Sequence, residues 1–248
     1  MADRLSLCLQ RWPLALARAL LPSSCALCGG GCDGVVCPPC HGEHVAPRKA
    51  RCRRCANPLG IHSDGGTECA VCLTERRAFD ATLTATDYAA PLDQLVLQLK
   101  FAGRLQLAPW FAQMIGDSVC ADRQFQLPNV LCPVPLGRQR LVGRGFNQAL
   151  EIARPLSKRL EIPLRPRLAI RALETQAQSG VAPEQRRRNI RNAFIVSPDA
   201  LAMVRGQHIG IVDDVMTSGY TLNELALTFK RFGAARVSNL VFARTPPH

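Results

Sequence analysis

Thirteen residues, Ile209-Gly210-Ile211-Val212-Asp213-Asp214-Val215-Met216-Thr217-Ser218-Gly219-Tyr220-Thr221, constrain the fold of this chain more tightly than any other stretch. The run begins apolar and does not alternate, the pattern of a strand buried on both faces in a parallel sheet. Two adjacent carboxylates follow, then a loop of hydroxyls with one glycine. Beyond it Leu222, Leu225, Ala226 and Phe229 recur at helical spacing. The order predicts a strand with an acidic end, a hydroxyl-glycine loop and a helix start.

That order has a chemical reading. A helix start leaves backbone N–H groups unpaired and carries partial positive charge, so an anion sits well there. Thr217, Ser218 and Thr221 add hydroxyl donors, and Gly219 permits close approach of a phosphate to the backbone. Asp213 and Asp214 would repel a phosphate in contact. A few ångströms away they can accept hydrogen bonds from sugar hydroxyls or hold Mg²⁺ through water. Phosphate and diol at that separation describe a ribose 5-phosphate. A solvated Asp-Asp turn capping an ordinary helix is the plain alternative; it accounts for single residues but not for their order.

Four Cys-x-x-Cys pairs follow one another between residues 25 and 72: Cys25 with Cys28, Cys37 with Cys40, Cys52 with Cys55, and Cys69 with Cys72. Each pair presents two thiolates to one tetrahedral ion, so two pairs complete a Cys₄ zinc site. Eight cysteines suit two structural zinc ions, or one well-formed site beside a degenerate one. Pairing first with second and third with fourth closes the shorter loops. Cys32 is a spare or substitute ligand, and His41, His44 and His62 read as surface residues. Basic residues at 48, 49, 51, 53 and 54 would offset the negative charge of a Cys₄ centre. Disulfides need an oxidising compartment, and a redox Cys-x-x-Cys usually comes once, beside a βαβ pattern; neither suits four pairs in a glycine- and proline-rich stretch. Cys8, Cys120 and Cys132 read as buried small apolar residues.

Ahead of the cysteines, residues 1–24 carry leucines in helical spacing. Gln10, Arg11 and Arg18 interrupt any apolar core of signal-peptide length, and no run is long enough to span a bilayer. The segment reads as a packing helix, and the protein as cytoplasmic with no membrane insertion. The formal charge of +12 points to polyanionic partners or substrates. It is concentrated: residues 138–191 hold 13 Lys or Arg against 4 Glu.

From residue 76 onward strands and helices alternate. Strands are expected at 79–86, 129–134, 168–171, 193–196 and 237–242. Helical patterns span 91–117, with Pro109 starting or kinking a second helix, and begin again near Phe146, with Pro155 expected to kink or end the helix. Gly233 suits the end of the helix after the opening motif. This alternation predicts an α/β fold with a parallel sheet flanked by helices, and ligands then gather at the carboxyl ends of the strands. The chain divides into a helical segment (1–24), a cysteine-rich module (25–75) and an α/β domain (76–248).

The 209–221 stretch resembles the phosphoribosyl pyrophosphate (PRPP) motif of type I phosphoribosyltransferases. The resemblance implies that Asp213 and Asp214 take the ribose hydroxyls and serve catalysis. Val215, Met216, Thr217, Ser218, Gly219, Tyr220 and Thr221 would wrap the 5-phosphate, with Mg²⁺ bound alongside PRPP. Val134, Pro135 and Leu136 then form a candidate pyrophosphate loop, joined by Arg138, Arg144, Arg186 and Arg187. With the cysteine module in front, Arg144-Gly145-Phe146-Asn147-Gln148 and the 186–194 stretch make the chain similar to the ComF/GntX family of phosphoribosyltransferase-like proteins, in which a double zinc ribbon precedes the transferase fold.

Two functions follow. One is binding of PRPP with Mg²⁺ and transfer of its phosphoribosyl group, in a role linked to competence or DNA utilisation. The other is a non-catalytic zinc-containing factor for uptake or processing of single-stranded DNA, working with DNA-uptake proteins and keeping the ribose-phosphate pocket. Residues 172–192 read as a loop closing over the site.

Overall fold

The computed structural model describes residues 23–45, 49–59, 67–172 and 190–246. The expected helix within 1–24, the arginine run at 186–188 and most of the 172–192 loop therefore lie outside the described residues. The chain forms two compact units, one up to Pro47 and one from Arg48 onward.

The smaller unit holds a two-residue antiparallel pair, β1 (Ser23–Ser24) with β2 (Gly31–Cys32), and a short helix α1 (Pro38–His44). Little apolar surface is buried here, and Cys25 and Cys40 are its two fully buried apolar side chains among the described residues.

The larger unit begins with a cysteine knuckle and α2 (Ala70–Thr74). A four-stranded sheet follows, in the order β3 (Ala81–Asp87), β8 (Arg236–Arg244), β7 (His208–Met216), β4 (Val130–Pro133), and every pairing is parallel. Helices α3 (Leu92–Phe101) and α4 (Leu107–Ala121) lie between β3 and β4 in the chain, with Pro109 in the first turn of α4, where a missing N–H costs nothing. Phe111 of α4 stacks on Phe242 of β8 at 3.8 Å between ring centroids, and Trp110 tilts against both. Such pairs add about 0.5–1.5 kcal/mol beyond their buried area.

Three elements depart from expectation. The basic stretch ahead of Phe146, which reads in the sequence as a loop, is a helix, α5 (Arg138–Arg144), ended by Gly145 in the left-handed region. Pro155 does not end its helix: α6 (Gln148–Leu160) runs through it, because Asn147 caps the start and the amphipathic face of Ala149, Ile152, Ala153 and Leu156 is buried. The strands expected near 168 and 193, β5 (Ala169–Arg171) and β6 (Phe194–Val196), do not join the parallel sheet but form an antiparallel pair of their own. A 3₁₀ turn (Pro198–Met203) leads on to β7, and α7 (Tyr220–Arg231) joins β7 to β8. Cys132 is fully buried in β4 as expected, whereas Cys120 is exposed in the last turn of α4, away from its packed face; Cys8 lies outside the described residues.

Candidate functional site

β7 carries Asp213 and Asp214 while it is still paired with β8, opposite Val241 in the case of Asp213, and both carboxylates are buried. The strand continues to Met216, two residues further than the acidic end read from the sequence. Thr217 to Gly219 then turn the chain into α7. Gly219 has φ +78°, a left-handed backbone that favours glycine. No side chain caps the start of α7, which leaves its first amides available to an anion.

The neighbouring loop is drawn to this point by the sheet itself. Val134 N–H donates to the Val212 carbonyl at 2.9 Å, just as β4 ends. Asn147 then works in two directions: its Oδ1 accepts the Ala149 N–H as the helix cap, and its Nδ2 donates to the Val134 carbonyl at 3.0 Å. One side chain thus fixes both the start of α6 and the Val134-Pro135-Leu136 turn. Arg144 donates to Gln148 Oε1 at 2.5 Å, and its guanidinium lies 5.5 Å from the centroid of the Phe101 ring.

Between these loops lies a cavity of about 250 Å³. From the opening motif it is lined by Asp213, Asp214, Val215, Thr217 and Thr221, and from the second loop by Val134, Pro135 and Leu136. Met216, Ser218, Gly219 and Tyr220 shape the turn without lining the cavity; Arg138 is exposed on α5, and Arg144 does not line the cavity but bonds Gln148 and feels the charge of Asp214 and Asp213. Arg186 and Arg187 are outside the described residues. Reading the sequence did not single out Tyr88, Lys100, Arg140, Gln148 and Arg171 as a set, yet all five line the cavity. Lys100, closing an apolar helix ahead of Phe101-Ala102-Gly103-Arg104, and Gln148, in the Arg144–Gln148 stretch, carry the family resemblance in the sequence; Tyr88 has no such signal.

Lys100 matters most among these. Its Nζ lies 2.5 Å from Asp214 Oδ2, and the side chains are 23% and 3% exposed. Burial works against the charge on Lys100, but the Asp214 carboxylate outweighs it and raises the Lys100 pKa. Burial, with Asp214 beside it, pushes Asp213 well above the usual carboxylate range; its Oδ1 accepts the Asp214 N–H at 2.9 Å. Lys100 offsets the charge of Asp214, and Arg140 and Arg171 add positive charge to the cavity wall.

A raised Asp213 pKa means that the folded state holds a proton which the unfolded chain releases. Its stabilising share is complete below the unfolded value near 3.8 and is lost as pH rises through the folded value. Asp213→Asn keeps the oxygen that accepts the Asp214 N–H and removes the ionisable group. Its expected effect is a rise in Tm at pH 7 that shrinks toward pH 4. Thermal melts across that range check it; an equal shift at both pH values would contradict the assignment.

The cysteines gather as two tetrads, Cys25, Cys28, Cys37 and Cys40 in the smaller unit, and Cys52, Cys55, Cys69 and Cys72 in the larger. In each, the Sγ atoms lie within 4.8 Å of one another. A tetrahedral zinc with bonds of about 2.3 Å sets its sulfurs about 3.8 Å apart; Cys28 and Cys37 are at 3.8 Å and Cys55 and Cys69 at 3.5 Å. Backbone N–H groups point at the sulfurs, as Cys37 N does to Cys25 Sγ at 3.3 Å. Burial opposes a Cys25 thiolate, but the N–H groups of Cys28, Cys37 and Leu27 prevail and pull its pKa to about 6. The Cys55 thiol and nearby N–H groups pull Cys52 to about 4. The donor sets fit zinc, and the clusters could form a double zinc ribbon. Cys32 stays outside, its Sγ on the Gly34 carbonyl. Among the basic residues, Lys49 and Arg51 pair with Asp87, whereas Arg54 pairs with Glu68 and is also within electrostatic reach of Cys72.

The second tetrad belongs to the same core as the site. Cys52, Cys55 and Cys72 share a buried cluster with Met216, Leu222 and Val241. The Arg77 guanidinium lies 5.5 Å from the Tyr220 ring centroid, and Ala78 N–H donates to Asn223 Oδ1 at 2.8 Å. Arg244, at the end of β8 and almost fully buried, reaches from the Cys55 carbonyl to those of Met216 and Thr217.

Comparison with known proteins agrees with this geometry. A phosphoribosyl transferase domain model matches residues 147–247. The chain is 35% identical over 200 residues to "DNA utilization protein YhgH" of Escherichia coli O157:H7, covering 79% of this chain and 85% of that protein. It is 32% identical over 238 residues to the Salmonella typhi protein of the same name, covering 95% of each. With "Competence protein F" of Haemophilus influenzae it shares 29% over 200 residues, 78% of this chain and 84% of that one. No helix among the described residues is long and apolar enough to cross a membrane. A parallel sheet with this site at its carboxyl end, two cysteine tetrads ahead of it and relatives that match over most of their length place the chain in one family: it belongs to the ComF/GntX phosphoribosyltransferase-like proteins.

Proposed function

We propose that the protein binds PRPP with Mg²⁺ in this cavity and transfers its phosphoribosyl group to an acceptor, in a cytoplasmic role tied to DNA utilisation. One observation carries the reading: the Asp213–Asp214 pair, Thr217 and Thr221 of the turn, and the Val134–Leu136 loop line one cavity at the carboxyl ends of β7 and β4. Phosphate on the α7 amides and the Thr217 and Thr221 hydroxyls would leave the ribose hydroxyls beside the two carboxylates. Pyrophosphate would then lie along the Val134–Leu136 turn, with Lys100, Arg140 and Arg171 around it.

In that pose the bond from ribose C1 to the pyrophosphate oxygen breaks as a bond from the acceptor forms, and the sugar passes through a cationic state. Cationic side chains fixed around the leaving group stabilise its developing charge without rearranging. Asp213 and Asp214 are the residues that would hold Mg²⁺, which would supply positive charge against that of the leaving group. Lys100 contributes a second role. It pairs with Asp214 before ligand arrives, and pyrophosphate gives its ammonium a new partner as Asp214 turns to the ribose. Structural zinc in both tetrads completes the cofactor set.

PRPP with Mg²⁺ should raise Tm by several degrees when present at about 100 times its Kd. Asp213→Asn with Asp214→Asn should abolish that rise. Unchanged melting of the wild type at millimolar PRPP and Mg²⁺ would dismiss the reading.

A second reading, single-stranded DNA binding without turnover, draws support from the names of the relatives and from α5. That helix carries Arg138, Arg140 and Arg144, and Phe101, 75% exposed, lies beneath the Arg144 guanidinium. An exposed aromatic beside arginines is a place where a base can stack. DNA-uptake proteins would be the partners in that case. Affinity for an oligonucleotide should then fall steeply with salt.

A further inference from the structure

We infer that Arg244 is a positioning residue that couples the Cys52–Cys55–Cys69–Cys72 cluster to the phosphate loop, so that metal in the cluster sets the geometry of the loop. The function of the loop rests on the reading above; the coupling itself does not.

The path is short and continuous. Cys52 and Cys55 lie in a turn closed by the Ala56 N–H donating to the Cys52 carbonyl at 2.8 Å. Ala56 has φ +57°, a left-handed backbone that alanine adopts reluctantly. A metal holding both sulfurs fixes this turn, and the turn fixes where the Cys55 carbonyl points. That carbonyl accepts from Arg244 Nε at 3.0 Å. Arg244 Nη1 donates to the Met216 carbonyl at 3.1 Å and also to those of Thr217 and Thr245.

The guanidinium is planar and rigid, so holding Nε aims Nη1. Its targets are the carbonyls of two consecutive residues, Met216 and Thr217, where β7 gives way to the phosphate turn. Engaging them from behind leaves the Thr217 side chain and the α7 amides facing the cavity. Arg244 is only 6% exposed and has no carboxylate among these partners. A full cation kept in the core to hold carbonyls of two separate segments has the character of a strut. Removing the metal frees the Cys55 carbonyl, and the loop then loses its anchor while the sheet behind it keeps its pairing.

The test is amide hydrogen exchange on the full-length protein without ligand, reading peptides that cover 217–221 and, as an internal control, 237–242. Chelating zinc from the wild type should speed exchange at 217–221 about tenfold or more and leave 237–242 protected. Arg244→Met should do the same while retaining two zinc ions per chain by metal analysis, and chelation of that variant should add little further at the loop. Arg244→Lys, which keeps charge but cannot span both partners, should behave like Arg244→Met. The coupling is refuted if Arg244→Met holds its zinc and exchanges at the loop like wild type, or if chelation speeds the loop equally in both proteins. Should the variants fail to fold, returning zinc to chelated wild type must restore loop protection in step with bound metal; protection that stays lost, or was never lost, overturns the proposal. Because no ligand is added, a protein that ignores PRPP can still pass.

Discussion

Replacing Cys55 with serine should remove one of two zinc ions from the chain and lower the melting temperature by at least about 10 °C. Structural zinc contributes roughly 10–16 kcal/mol in small zinc peptides, and whole domains are stable by only about 5–15 kcal/mol. Even a third of that contribution is several kcal/mol, at roughly 2–4 °C for each in a chain of this size. The effect should extend beyond the knuckle, because Cys52, Cys55 and Cys72 share a buried cluster with Phe79, Leu222 and Phe229 of the α/β unit. Cys132→Ser is the matched control. It is equally buried but belongs to neither tetrad, so zinc stays at two and the cost is about 1 kcal/mol. Metal analysis with thermal melting decides between them. Two zinc ions retained in Cys55→Ser would remove Cys55 from the ligand set.

The next largest effect should come from Asp214→Ala. It leaves the Lys100 ammonium against Asp213 alone, a carboxyl that burial already drives toward the neutral form. Breaking a buried ion pair from one side costs about 3–5 kcal/mol. Lys100 retains some access to solvent, so about 3 kcal/mol, or roughly 6–12 °C, is expected. The double variant Asp214→Ala with Lys100→Met should recover most of the loss, since no stranded charge remains. Recovery distinguishes a charge effect from lost packing. If the double variant melts no higher than Asp214→Ala, the ion pair is not what holds this corner together.

These two predictions also divide what could be read from the sequence from what could not. The strand, carboxylate pair, glycine turn and helix at 208–231 are one local unit, and each step has its own signature. The cysteine tetrads were legible for the same reason: each closes a short loop between neighbouring pairs. The partners of Lys100 and Arg244 were not legible, because each acts on residues far away in the chain. Lys100 meets Asp214 across 114 positions, and Arg244 meets Cys55 across 189. In the sequence Arg244 is only a charge after an apolar run, which reads as a strand reaching solvent.

The basic stretch 138–144 looked like a loop because its glycines and arginines carry no apolar stripe. It is helical, with no buried side chain of its own. The hairpin of β5 and β6 was misplaced in the parallel sheet because a short apolar run says nothing about its partner.

The sheet order has a consequence for synthesis on the ribosome. β8 lies between β3 and β7, yet it is translated after both. Until residues 236–244 leave the exit tunnel, β4 and β7 can zip together, but β3 has no neighbour and β7 shows a bare edge. A nascent chain halted before that point would carry two sticky seams, each a template for pairing with another copy. Transcripts truncated ahead of codon 236 should therefore yield aggregates rather than a smaller folded protein.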